Sequence, residues 1–493
     1  MILATRLLLS CLVAVWIAGC AAPPEPEQPA AAAPLEAASS KSESAPESAA
    51  PPAPPLEPVS GEPEPELERP PNILLITIDT QRADSFGMYG NPGGHTPHID
   101  ALAERGVVFD RATAPIGTTF PSHATLLTGL YPRRHGLRYN GDTLEEEMVT
   151  LTEILRENGW DTMALVTYGS MVSRGGLGQG FVRTSHEKNG ERSISAAASR
   201  VGTMARGLLK RRRPFPFFMW VHYFQPHSPY ELTPYAEEQL AGYDGPLAKG
   251  ATVEEFYALG KKKWRDEDRA ALRVLYDGET RSADAAVGSI LETLEQAGHA
   301  ERTIVVVTSD HGQLLGEHRA VGHGARLWEP VLHVPLVIFD PRRPDARRVS
   351  SRVGLVDVTP TLLEMVGLPA PEGIDGRSLV PGLRGEKLEE RPYYSEVRGL
   401  KNGKSKRDPN ALAVYLGDRK LVVRKGKSRH YDLAEDPSER SPIRDVAEDP
   451  QAQKLAELAA AYGAPGDATG GQVAPKDLAP HVREELRALG YVQ

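Results

Sequence analysis

The sequence predicts an α/β fold, with a mostly parallel central sheet flanked by helices and a small antiparallel sheet near the C-terminus. Two observations carry the main sheet. Ile73-Leu74-Leu75-Ile76-Thr77-Ile78 and Thr303-Ile304-Val305-Val306-Val307-Thr308-Ser309 are continuous β-rich apolar runs, as expected of strands covered on both faces. Phe217 to Phe224 is a third such run, and Ala283 to Ala297 between them carries helical spacing, with Ile290, Leu291 and Leu294 on one side. The small sheet is predicted by two pieces separated by a charged turn, Ala411 to Leu416 and Lys420 to Arg424. A helix from about Gln451, a glycine-rich break at Gly466 to Gly471 and a short helix at Val482 to Leu489 close the chain.

Ahead of the folded body, residues 1–20 combine Arg6, an apolar run from Leu7 to Ile17, and Ala18-Gly19-Cys20. The run is short for a membrane span and reads as an export signal. Small residues before the cysteine resemble the bacterial lipoprotein signal, which implies that cleavage leaves Cys20 carrying lipid. Ala21 directly after it points to the outer membrane of a Gram-negative cell. Residues 21–70 are alanine, proline, glutamate and serine with almost no large apolar side chain, a composition that cannot offset chain entropy by burial. That segment reads as a proline-stiffened tether. Residues 71–385 are then the catalytic domain and 386–493 a C-terminal subdomain with a helical tail.

Composition narrows the chemistry. A net charge of −9 provides no basic field for nucleic acid, and the membrane enters only through a lipidated Cys20. The two cysteines are Cys11 and Cys20, so the body has neither disulfides nor thiol chemistry.

Asp79 and Asp310 each stand just past an apolar run, and His311 follows the second directly. In open α/β sheets ligands gather beyond the carboxyl ends of strands, so acids far apart in sequence can meet there. An isolated aspartate of this kind is a turn residue more often than a ligand; the joint pattern favours a metal site. His222 and His135 are read as structural, and Arg82 and Lys210 to Arg213 as solvated charge.

Several segments in order resemble the sulfatase family of the alkaline phosphatase superfamily. These are Asn72 to Asp84; Thr119-Phe120-Pro121-Ser122-His123 through Gly129 with Tyr131-Pro132; Ser309-Asp310-His311-Gly312; Gly322-His323-Gly324 with Val334-Pro335; Asp357 to Leu363; and Asp375 to Leu379. The resemblance implies an alkaline phosphatase-like fold and a hydrolase of anionic esters, on small molecules or glycans. It implies Asp79, Asp310, His311 and Thr119 as metal ligands, and Thr119 as nucleophile. His227 and His323 are implied as a second cation site or as groups that bind the ester and protonate the leaving oxygen; His123 is a weaker candidate.

The departures matter as much. The usual sulfatase motif begins with a cysteine or serine that is oxidised to formylglycine, and carries an arginine where this chain has His123. Threonine cannot become that aldehyde, and Ser122 lacks the proline two places on. A threonine alcohol needs a metal or base to lose its proton. Thr80 replaces a second aspartate after Asp79, and Gln225 stands where relatives carry an acid. Fewer carboxylates and a histidine ligand favour zinc or manganese, with calcium as the alternative, in one or two ions. Phosphoric mono- or diester hydrolysis is the favoured reaction. The alternatives are a sulfuric ester hydrolase without formylglycine, a phosphoryl-headgroup transferase, and an inactive glycan-binding envelope lipoprotein. Substrate choice is expected in loops such as Pro229 to Lys263, where Phe256, Tyr257 and Trp264 either line the pocket or pack the subdomain.

Overall fold

The computed structural model describes residues 69–186, 194–211, 215–260, 264–397 and 410–463. The signal and Cys20, nearly all of the tether, part of the Lys210 to Arg213 run, the glycine-rich break and the last short helix lie outside them.

Fifteen strands are described. In chain order they are β1 (Asn72–Ile78), β2 (Val107–Thr113), β3 (Asp161–Val166), β4 (Arg183–His186), β5 (Phe217–Tyr223), β6 (Thr303–Thr308), β7 (Leu314–Leu315) and β8 (Val321–Gly322). There follow β9 (His333–Val334), β10 (Leu336–Phe339), β11 (Arg347–Gly354), β12 (Tyr393–Val397), β13 (Ala411–Leu416), β14 (Arg419–Arg424) and β15 (Lys427–Asp432). The main sheet runs β11-β2-β10-β6-β1-β5-β3-β4, with β9 beside β2. Neighbours are parallel except around β10, which is antiparallel to both β6 and β2, and at β9.

The apolar runs are continuous because both sheet faces are covered. Ile73, Leu75, Phe218, Trp220, Ile304 and Val306 enter one core, while Leu74, Ile76, Met219, Val221, Val305 and Val307 enter the other. This is the two-residue period of a strand read on both sides. Five helices matter below: α1 (Thr119–Thr128), α2 (Ile194–Leu209), α3 (Val253–Leu259), α4 (Asp266–Gln296) and α5 (Pro450–Tyr462). The α4 helix extends well beyond the predicted Ala283 to Ala297. Its first half carries Asp268, Asp277 and Glu279, all buried, which interrupt the apolar spacing that a sequence reading follows.

The C-terminal sheet, β12-β13-β14-β15, is antiparallel throughout, and α5 packs its Leu455 against Leu412, Val414 and Leu421. A buried ion cluster fastens it to the segment before β9. Lys420, fully buried, lies 2.9 Å from Glu329 and 2.6 Å from Glu439. Burial works against the Glu329 carboxylate, but the Lys420 ammonium outweighs it and holds the group well below the usual range. Such a cluster is satisfied only while all its members remain.

Arg82 corrects the sequence reading. It is 5% exposed rather than solvated, paired with Asp84 and Glu317 at 2.6 Å each, and its guanidinium also donates to the Gln313 carbonyl. It ties the turn after β1 to the turn after β7.

Candidate active site

The register of the sheet builds the site. Thr77 lies opposite Thr308 on one side of β1 and opposite His222 on the other, so the three strands end together. Asp79 follows β1 and is held in line by its amide, which donates to the Tyr223 carbonyl at 2.9 Å. Asp310 and His311 follow β6; all three side chains are fully buried. Each offers a ligand atom within 4.8 Å of the others, and among the described residues no other group of three or more does so.

The polar contacts of this cluster leave bonding capacity pointing inward. Asp310 Oδ1 accepts from the amides of His311 (2.8 Å) and Thr80 (3.2 Å), while its Oδ2 has no hydrogen-bond donor. His311 Nδ1 faces the Gly312 carbonyl at 3.0 Å, which can only accept, so that nitrogen carries the proton. His311 Nε2 therefore presents its lone pair, 3.4 Å from Asp310 Oδ2 and 3.4 Å from Thr119 Oγ1. Separations of this size suit two ligands of one divalent ion, with bonds of about 2.0–2.2 Å. Burial, then the charge of Asp79, pushes the Asp310 carboxyl up to about 7. Two carboxylates in this setting call for a cation, and the donor set fits one. The turn beyond Asp79 is strained: Thr80 sits at φ +54°, its carbonyl accepting from Tyr276 Oη at 2.8 Å.

Thr119 is the first residue of α1, with Thr118 at the cap, and is fully buried. The next amide, on Phe120, donates to Asn140 Oδ1 at 2.8 Å, so Asn140 fixes the start of this helix; the sequence reading did not single it out. His123, one turn along, turns its Nδ1 to the Thr119 carbonyl at 2.8 Å.

A second feature escaped the sequence. The Thr77 hydroxyl is a hub: Trp220 Nε1 donates to it at 2.9 Å, and His222 Nδ1 (2.9 Å) and His123 Nε2 (3.1 Å) both face it. The far side of each ring approaches a metal-site carboxylate. His222 Nε2 lies 3.7 Å from Asp79 Oδ2, and His123 Nδ1 lies 3.8 Å from Asp310 Oδ2. Burial first, and then the neighbouring His222, takes His123 down to about 3; burial takes His222 to about 4. His222, read as structural, stands against the candidate metal cluster. His135 bonds to Thr125 at 3.0 Å and belongs to the helix packing.

His227 and His323 come together beside the cluster with Nε2 atoms 3.1 Å apart. Their Nδ1 atoms face the carbonyls of Ser228 (2.5 Å) and Gly117 (3.0 Å). Each Nδ1 is therefore a donor, and the facing Nε2 atoms hold at most one proton between them. His323 stacks on His311 with centroids 4.5 Å apart, and the Gly324 amide donates to Gly117, drawing this turn over the loop before Thr119. Gln225 is buried and its Oε1 lacks a hydrogen-bond partner. Of the three aromatics left open by sequence, Phe256 is fully buried in a peripheral core and Trp264 packs against it. Tyr257 is half-buried, and a Cβ on Gly322 would fall 2.7 Å from its ring.

The family model described as Sulfatase matches residues 71–368. The chain belongs to the sulfatase family. A second model, the C-terminal region of N-sulphoglucosamine sulphohydrolase, matches residues 316–460. An ulvan-active sulfatase of Formosa agariphila is 26% identical over 338 residues, covering 63% of this chain and 64% of that protein. An arylsulfatase of Clostridium perfringens is 24% identical, covering 75% of this chain and 89% of its own. Among solved structures, a phosphonate monoester hydrolase of Agrobacterium radiobacter superposes with a TM-score of 0.64 at 24% identity, over 80% of this chain and 96% of that one. The fold is alkaline phosphatase-like, as expected.

Three outcomes follow for this sulfatase-family site. Because Asp310 keeps its proton up to about pH 7, the metal-free protein loses stability as pH rises from about 4 to 7, where the unfolded chain has already ionised. A cation must displace that proton, so apparent metal affinity falls about fivefold from pH 7 to pH 6 and levels off above pH 8, as chelator competition will measure. Thr77→Val, which keeps the shape and removes the hub, lowers metal affinity by about 10–100-fold, and Thr77→Ser restores it. Unchanged affinity in the valine variant would refute a positioning role.

Proposed function

We propose that this chain is a metal-dependent hydrolase of anionic esters that uses Thr119 as its nucleophile, with phosphoric esters favoured. The observation that carries the reading is the placement of Thr119 Oγ1 at the head of α1, 3.4 Å from the bare Nε2 of His311 in a cluster with two buried acids. Asp79, Asp310, His311 and Thr119 would hold a divalent cation, which would lower the pKa of the hydroxyl and offset charge on the ester. The nitrogen ligand, and Thr80 in place of a second acid, favour zinc or manganese over calcium.

In this reading Thr119 Oγ gives its proton to the neutral His227–His323 pair and forms a bond to the ester's central atom as the bond to the leaving oxygen breaks, giving a threonyl ester. The His227–His323 pair gives the proton it has taken from Thr119 to the leaving oxygen, then takes one from the water that opens the intermediate and returns it to Thr119 Oγ. The buried rings start neutral and free to take a proton, because burial first, and then His323 for His227 and His311 for His323, keep their affinity for protons low. A threonine cannot form formylglycine and the body has no cysteine, so the aldehyde route to sulfate release is closed. Phosphoryl transfer needs only positioning and charge stabilisation, which this site offers.

Sulfuric ester hydrolysis through the same threonine is the second reading, supported by relatives named as sulfatases. Turnover of aryl phosphate mono- and diesters and aryl sulfate by the metal-loaded protein decides between them. Thr119→Ala is expected to lower kcat by at least about a thousandfold while leaving metal bound. Full activity in that variant would eliminate the threonine mechanism.

A further inference from the structure

Among the described residues, two side-chain hydrogen-bond donors near the site, on Tyr257 and Arg326, have no bonding partner. Tyr257 projects from α3, a short helix outside the sheet, and its ring lies against Gly322, the residue before His323. Gly322 takes φ +79°, and a side chain there would come within 2.7 Å of Tyr257 Cε1 and 3.3 Å of its hydroxyl, so the close approach is built into the backbone. Arg326 lies three residues beyond His323 in the same turn, which the Gly324–Gly117 hydrogen bond draws toward Thr119. The Tyr257 hydroxyl lies within electrostatic reach of both Asp79 in the metal cluster and Arg326. Its ring therefore stands against the residue that precedes His323, on the turn that also carries Arg326.

Among the described residues, neither the phenol nor the guanidinium has a hydrogen-bond or ion-pair partner, and both are half-buried. This sets Arg326 apart from Arg82, Arg134, Arg273, Arg348 and Arg352, each of which meets an acid or a carbonyl. Burial, and then Asp79, pushes the Tyr257 phenol up to about 12, so it stays a neutral donor. An arginine held half out of water without an acid is suited to an external oxyanion, which its planar fork can meet with two hydrogen bonds.

We propose that Tyr257 and Arg326 form a subsite for a second anionic group, borne by the leaving alcohol of the ester that Thr119 attacks. The natural substrate is then an acidic saccharide or similar alcohol carrying, besides the scissile ester, a carboxylate or a further sulfate. The proposal rests on the hydrolase reading above and deepens it. The subsite binds and orients; it takes no part in bond making.

The test compares three aryl esters of the acid that the enzyme hydrolyses fastest: one with an uncharged leaving phenol, one with a carboxylate on it and one with a sulfonate, the latter two in meta and para isomers. In Arg326→Ala the KM of a charged ester is expected to rise about tenfold with kcat nearly constant, while the uncharged ester changes less than about twofold. Arg326→Lys recovers part of the loss, and Tyr257→Phe gives a smaller rise. The carboxylate and sulfonate arms identify which anion the subsite prefers. Equal changes on charged and uncharged esters, or none, would overturn the proposal while leaving the hydrolase intact. Failure of the hydrolase reading looks different: the unaltered protein would turn over none of the esters, and the subsite proposal would fall with it.

Discussion

Two carboxylates that cannot both stay ionised and dry without a cation, Asp79 and Asp310, are the constraint on which this structure is organised. Burying an unpaired carboxylate costs several kcal/mol, and here two are delivered to one place by neighbouring strands. The surroundings are arranged to offset that cost and direct it. Asp310 Oδ1 takes two backbone amides, His311 is fixed in the tautomer that offers a lone pair, and Thr77 braces the two rings behind the acids. The Thr119 hydroxyl, the nucleophile proposed above, stands at the head of α1 beside them.

The same economy explains the periphery. Two of the acids that helix α4 buries answer backbone donors elsewhere: Asp284 accepts from the amides of His98 and Ile99, and Glu279 accepts from that of Glu231, securing the loop that carries His227. Arg82 clamps the turn beyond Asp79, and the Lys420 cluster fastens the C-terminal sheet to the chain that returns from His323. The site is thus held by polar contacts of long sequence separation as much as by its two cores.

What was legible in the sequence followed from periodicity and strand ends. β1, β5 and β6 were readable as fully covered strands, β13 and β14 as a hairpin, and the acids past β1 and β6 as partners because both end a strand. The first half of α4 was not, since its buried acids imitate a solvent face. Arg82 was misread because charge alone does not reveal that Glu317, far along the chain, will meet it. His222 and Thr77 were hidden for the opposite reason: within an apolar strand a lone polar residue looks like core, and only the register shows that both stand one step behind Asp79. Tyr257 lies on α3 and Arg326 on the turn after His323, and their approach depends on the close contact of Tyr257 with the glycine at 322, which no local pattern announces.

The central claim is that one divalent ion sits among Asp79, Asp310, His311 and Thr119 and offsets the charge of the two acids. Anomalous diffraction from crystals of the protein loaded with zinc or manganese tests it most directly. The account predicts a single strong peak bonded to Asp310 Oδ2, His311 Nε2, an Asp79 oxygen and Thr119 Oγ1. A cluster that stays free of anomalous density at saturating metal, or a peak that omits Thr119, would contradict it.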